Sequence, residues 1–116
     1  MLSREYRLTK NNDFGKVAKF GKQAWTQYFG LKWLKNDLKN SRFGIVVSLK
    51  VDKKAVVRNR IKRRIRAILD IRKKDIKSGF DFMILTRPEI KNLDYWQIDD
   101  IFNNILHKEN LFTNEK

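Results

Sequence analysis

Cysteine is absent from these 116 residues, and histidine occurs once, at His107. Without cysteine there is no disulfide, no thiolate-held zinc and no sulfur nucleophile, a composition that suits a reducing compartment. One histidine is too few for a histidine-based metal centre, and a Ser–His triad would have to rest on it alone. Proline also occurs once and glycine five times, and the chain shows no linker, low-complexity tract or internal repeat. No apolar run approaches the length of a membrane span, and Met1 to Arg7 lack the apolar core of a secretory leader. Acidic side chains are scarce, 13 against 27 Lys and Arg, for a net charge of +14. The expectation is one soluble, cytoplasmic domain over residues 1–116, fraying from about residue 110, with no membrane partner and a polyanionic one.

What is present supports a core: 41% of residues are hydrophobic and 12% aromatic, enough apolar surface to offset the entropy of ordering the chain. The charge is concentrated rather than spread. Residues 50–74 hold twelve basic and two acidic side chains, a net of +10, whereas residues 89–116 carry −3. A block of this kind says more about a partner than the total does.

Periodicity predicts a short helix over about Thr9 to Phe20, capped by Thr9 or Asn11 and ended by Gly21. Gln23 to Leu34, rich in aromatic and β-forming residues, and Arg42 to Ser48 read as an antiparallel pair; the first carries a break near Gly30 or a short third strand. Residues 54–77 have helical period, with Val57, Ile61, Ile65, Ile68, Leu69 and Ile76 on one face. Phe80 to Thr86 is apolar enough for a central strand, stopped by Pro88. A last helix begins at Asp94, whose spacing to Gln97 is that of a capping box. The order predicts an α+β fold, a sheet covered by helices on one face.

The segment 55–66 carries the chemistry. Opposite its apolar stripe, Arg60, Arg63 and Lys74 share one flank and Lys62, Arg66 and Lys73 the next, with Asn59 between them. Asp70 lies four residues from both Arg66 and Lys74, close enough to pair with either. Arg58 lies beside the stripe and is placed to brace an element end. An ordinary charged helix face is simply solvated, but nine basic groups against Asp52 alone in residues 50–66 repel one another at i,i+3 and i,i+4 spacing. A polyanion relieves that repulsion, and arginine forks match phosphate or stack on exposed bases. The pattern by itself fits any structured RNA, including that of a general RNA-binding or ribosome-associated module without a role in catalysis.

Arg58-Asn59-Arg60-Ile61-Lys62-Arg63, with Ala55 ahead and Ile65-Arg66 behind, resembles the signature helix of the bacterial ribonuclease P protein component. Lys10 to Phe14, Arg42 to Ser48 and Phe80 to Pro88 resemble that family's opening helix and flanking strands, so the likeness spans nearly the whole chain. It implies a single-domain α/β sandwich of about four strands and three helices, with a left-handed strand–helix–strand crossover. It implies the protein subunit of ribonuclease P, the endoribonuclease that removes the 5′ leader of precursor tRNA. The catalytic RNA subunit would carry the chemistry and most of the Mg²⁺, with no catalytic residue or metal site in the protein, which is expected to be monomeric when free. Arg58, Asn59, Arg60, Lys62, Arg63 and Arg66 would meet the RNA subunit. Lys10, Phe14, Val17, Lys32, Ser48 and Lys50 would line a cleft for the leader. The sequence departs from the family pattern at Ala18, where many members have a second aromatic, and at Leu49 and Asp52; Lys32 falls near a position that is Tyr in some.

Phe14 on its own reads as core packing, and the resemblance reverses that order. Trp25, Tyr28 and Trp33 are either a stacking platform or, by strand alternation, partly core. Trp96 lies off its helix's apolar stripe. Asp99 and Asp100 read as a solvated face, and the chain lacks the converging carboxylates of a two-metal nuclease. A membrane-lying cationic helix ranks last, since flanking strands claim its apolar face.

Overall fold

The computed structural model describes residues 2–113. Between Lys22 and Lys35 the chain forms a hairpin of β1 (Lys22–Trp25) and β2 (Phe29–Lys35). Thr26 builds the turn: its hydroxyl accepts the N–H groups of Tyr28 (3.2 Å) and Phe29 (3.0 Å), and its own N–H donates to the Phe29 carbonyl at 2.8 Å. The break expected near Gly30 thus falls at Thr26 to Tyr28. Gly30 lies inside β2, where a Cβ would run into the Trp25 ring.

The sheet order is β1-β2-β4-β3, with β3 at Arg42–Val46 and β4 at Phe80–Thr86. The expected pairing of residues 23–34 with 42–48 is therefore wrong: β4 inserts between them, antiparallel to β2 and parallel to β3. The parallel pair is joined through α2 (Ala55–Arg72). Local sequence cannot reveal such an insertion, because the partner strand comes 49 residues later in the register Trp33↔Phe82.

Strand alternation sorts the side chains into two layers. Phe29, Leu31, Trp33, Phe43, Phe82 and Ile84 join the main core with Ile61, Ile65, Ile68 and Leu69 of α2 and Ile98, Phe102, Ile105 and Leu106 of α3 (Tyr95–Lys108). Phe29 stacks on Phe102 with ring centroids 4.5 Å apart. The opposite face is not bare as expected. There α1 (Asn11–Phe20) seats Val17 on Met83 and Leu8, a smaller second core. Lys10 stands at the α1 N-cap without a side-chain cap bond, so neither Thr9 nor Asn11 caps it.

α2 ends at Arg72 rather than residue 77. Ile76 is nevertheless buried, through a bridge to Phe112. The segment expected to fray packs back as far as Thr113, whose N–H donates to the Asp75 carbonyl at 2.7 Å; residues 114–116 lie outside the described ones. The capping box of α3 is formed, Asp94 accepting from Gln97 N–H and Gln97 from Asp94 N–H, both at 2.9 Å. Asp99 departs from its expected solvated role. Its carboxylate takes a bidentate pair from Arg72, Nε at 2.6 Å and the second guanidinium nitrogen at 2.9 Å, tying α3 to α2.

Candidate nucleic-acid interface

The four fully buried aliphatics of α2 contribute roughly 1.5–3 kcal/mol each. Repulsion between neighbouring like charges costs only a few tenths of a kcal/mol per pair. The seat therefore wins, and the helix holds its cations together without a partner for each.

Some cations of α2 are committed within the fold. Arg58 donates from one nitrogen to the carbonyls of Asp52 (3.1 Å) and Lys53 (2.8 Å), bracing the loop before the helix as its position predicts. Arg64 donates to the Leu93 carbonyl at 3.0 Å. Lys73, not Arg66 or Lys74, pairs with Asp70, and its ammonium lies 5.3 Å from the Tyr6 ring centroid. The Lys73 hydrogen bond holds the Asp70 carboxyl below its ordinary pKa. Arg60, Lys62, Arg63 and Arg66 are left with no carboxylate within salt-bridge distance among the described residues. Asn59 is exposed beside them.

On the α1 face the register lays side chains in three cross-strand rows. Leu34, Asp81 and Arg42 form the first. Asp81 accepts both Arg42 bonds (2.8 and 2.7 Å) and the Asn36 amide (2.9 Å), and Arg42 reaches Asp13 of α1 at 3.4 Å. Hydrogen bonding to Asp81 raises the Arg42 pKa further. This network locks α1 to the sheet. Gln23, Lys32, Met83 and Gly44 form the second row, and the Phe14 ring sits on Gly44, where any Cβ would collide with it. Trp25, Gly30, Leu85 and Val46 form the third. The Arg87 guanidinium covers the Trp25 ring, 4.8 Å from its centroid. α1 packs on β2 and β4 over the first two rows, with Phe14 and Lys32 both half-buried in the second.

Of the expected leader residues, Lys10, Phe14 and Lys32 share this face, and Ser48 and Lys50 are exposed just beyond β3. Val17 is fully buried, so it anchors α1 and offers no surface. Trp33 is core, whereas Trp25 lies on the α1 face. The Trp25–Arg87 pair was not foreseen; Gly30 was the available signal, once its partner across the hairpin is known. A crevice of about 130 Å³ at the β3 edge, lined by Leu8, Phe14, Gly44, Ile45 and Arg66, connects the Phe14 side of the sheet with the α2 side.

The family model described as Ribonuclease P matches residues 2–110. The chain belongs to the ribonuclease P protein family. The ribonuclease P protein component of Lactobacillus helveticus is 37% identical over 107 residues, covering 91% of this chain and 85% of that one. That of Thermotoga maritima is 36% identical over 111 residues, covering 92% and 94%. The solved Staphylococcus aureus RNase P protein superposes with a TM-score of 0.85 at 31% identity, over 93% of this chain and 98% of that one. The α+β fold with three helices and a four-stranded mixed sheet is thus that of ribonuclease P proteins.

Proposed function

We propose that this chain is the protein subunit of a bacterial ribonuclease P, acting in the cytoplasm as a component of the tRNA-processing endoribonuclease. Arg60, Lys62, Arg63 and Arg66, with Asn59 and the free donors of Arg58, dock on phosphates of the catalytic RNA. Phe14, with Lys10, Lys32, Ser48 and Lys50 about it, receives the 5′ leader of precursor tRNA. The observation that carries this reading is the family match over residues 2–110 coinciding with four α2 cations that have no acidic partner among the described residues.

The work of the protein is binding. Docking releases counterions condensed on the RNA, so affinity falls roughly a thousandfold between 50 and 200 mM salt if about six phosphates are contacted. The described residues hold no cluster of three His, Asp or Glu side chains. We assign Mg²⁺ and the bond-breaking step to the RNA. The protein offsets phosphate repulsion as the leader approaches, which lowers the Mg²⁺ the holoenzyme requires.

Cleavage of precursor tRNA by the cognate RNA at low Mg²⁺, with and without the protein, tests this reading. Stimulation supports it. No stimulation, with equal affinity for mature and leader-bearing tRNA, would instead favour a general RNA-binding module.

A further inference from the structure

At the far end of α1 lies a pocket of about 470 Å³ that the proposed docking surfaces do not use. Phe20, Lys22, Trp33, Lys35, Lys77 and Phe80 line it. Its lysines are held in place by the fold. Lys22 stands opposite Trp33 and Lys35 opposite Phe80 in the sheet register, and Lys77 donates its N–H to the Leu111 carbonyl at 2.8 Å. None of the three has an ion-pair partner among the described residues, and Glu109 is the one carboxylate on the rim.

Phe20 is 66% exposed at the last turn of α1. The Lys19 ammonium lies 5.3 Å from the ring centroid, and the ring itself lines the pocket. A flat aromatic face among unpaired cations is the chemistry that holds a single-stranded nucleic acid: a base stacks while its phosphates meet the lysines. Duplex RNA hides its bases in the stack and has no use for the ring. The Phe14 side is separate, since Lys22, Trp33, Lys35 and Phe80 alternate to the sheet face opposite the row of Lys32, Met83 and Gly44 on which Phe14 sits.

We propose that this pocket is a second single-stranded RNA site, with Phe20 as its stacking platform and Lys22, Lys35 and Lys77 as its phosphate contacts. It stands independently of the ribonuclease P reading, because its assay requires neither tRNA nor the RNA subunit.

The test titrates a fluorescein-labelled oligouridylate with the full chain carrying Arg60→Ala, Arg63→Ala and Phe14→Leu, which weaken the other two surfaces so that the pocket's share of binding is read as a difference. Adding Lys22→Ala, Lys35→Ala and Lys77→Ala lowers the slope of log affinity against log salt by about 2, at about 0.7 per single-strand phosphate contact. Lys39→Ala, Lys91→Ala and Lys108→Ala, with the same change in charge, lower it by much less. Phe20→Ala weakens binding at least fivefold and Phe20→Trp restores it. Because all four pocket side chains are exposed, circular dichroism will show the variants folded. A photo-cross-link from 5-iodouridine to the peptide containing Phe20 adds support. Equal effects of the two lysine triples, full affinity in Phe20→Ala, or equal binding of duplex RNA overturns the proposal.

Discussion

Replacing Phe14 by leucine separates the two roles that its position allows. The ring is half-buried on Gly44 and belongs to the small core of Leu8, Val17 and Met83. Truncating a fully buried Phe to Ala costs about 3–5 kcal/mol, so Phe14→Ala would lose roughly half of that and confound folding with binding. Leucine keeps the apolar volume at a cost of less than about 1.5 kcal/mol but removes the π face. If the leader stacks on the ring, Phe14→Leu weakens binding of leader-bearing precursor by about 1–3 kcal/mol, roughly 5- to 150-fold, while mature tRNA binds as before. Equilibrium titration of reconstituted holoenzyme with both tRNAs, beside urea unfolding of the free protein, reads each quantity. Gly44→Ala supplies the converse perturbation: its Cβ drives the ring out of place and lowers leader affinity with α2 untouched. Undiminished leader affinity in Phe14→Leu would refute stacking and leave Phe14 a packing residue. Equal loss for both tRNAs would refute it as well.

Arg60→Ala and Arg63→Ala each lower the salt slope for binding the RNA subunit by about 0.9, with folding stability changed by no more than about 0.5 kcal/mol; filter binding across a salt series measures this, and an unchanged slope places docking elsewhere. Asp81→Ala removes the bidentate partner of Arg42 and one bond of the Asn36 amide. It leaves Arg42 its Asp13 contact at 3.4 Å and Asn36 the Asn40 carbonyl at 3.1 Å, so the loss in urea unfolding is about 2 kcal/mol. A loss below about 1 kcal/mol would show the pair to be screened by water. Asp52 accepts the Lys54 N–H at 2.8 Å, which holds its carboxyl below the ordinary value of 3.8. A depressed folded pKa stabilises above the unfolded value, so this contribution is full above about pH 4 and fades as pH falls through the folded pKa. Asp52→Asn should flatten the stability profile in that acid window alone, as a denaturation series from pH 2 to 5 would reveal.

Features written in local spacing were legible from the residues. The cationic face of α2, the Asp94–Gln97 box and the limits of β4 each need only neighbours within one or two turns. What escaped was set by partners far along the chain. Nothing near Phe29 to Lys35 says that β4 rather than β3 lies beside it. Ile76 follows the helical period of α2 yet is buried by Phe112, so its apolar character was real and its element was misjudged. Asp99 sits on the polar side of α3, and periodicity cannot show that Arg72 crosses to meet it. Val17 and Phe14 share an amphipathic stripe, but only packing reveals that Val17 is sealed under α1 while the ring beside it stays half open.

The scarce acids are placed so that the basic surface faces one way. Asp99 binds Arg72 and Asp70 binds Lys73, so both carboxylates are taken up by cations at the C-terminal end of α2, and Asp52, before its N-terminus, meets Lys91. None of these pairs reaches Arg60, Lys62, Arg63 or Arg66. The segment after residue 88, with a net charge of −3, contains α3, whose packing against α2 is sealed by that Arg72–Asp99 pair. Packed helices lie about 8–10 Å apart, close to the Debye length of about 8 Å at physiological ionic strength. At that salt an approaching polyanion feels strong attraction over α2 and little over α3, whose Asp99 is paired with Arg72 and whose Asp100 is offset by Lys108, and the difference orients it. At 0.01 M, where screening extends about 30 Å, the two merge into one positive charge that draws RNA from any side. Tight binding at low salt and productive docking are therefore different properties of this protein, and the pairing of Asp70 and Asp99 away from Arg60, Lys62, Arg63 and Arg66 is what makes them differ.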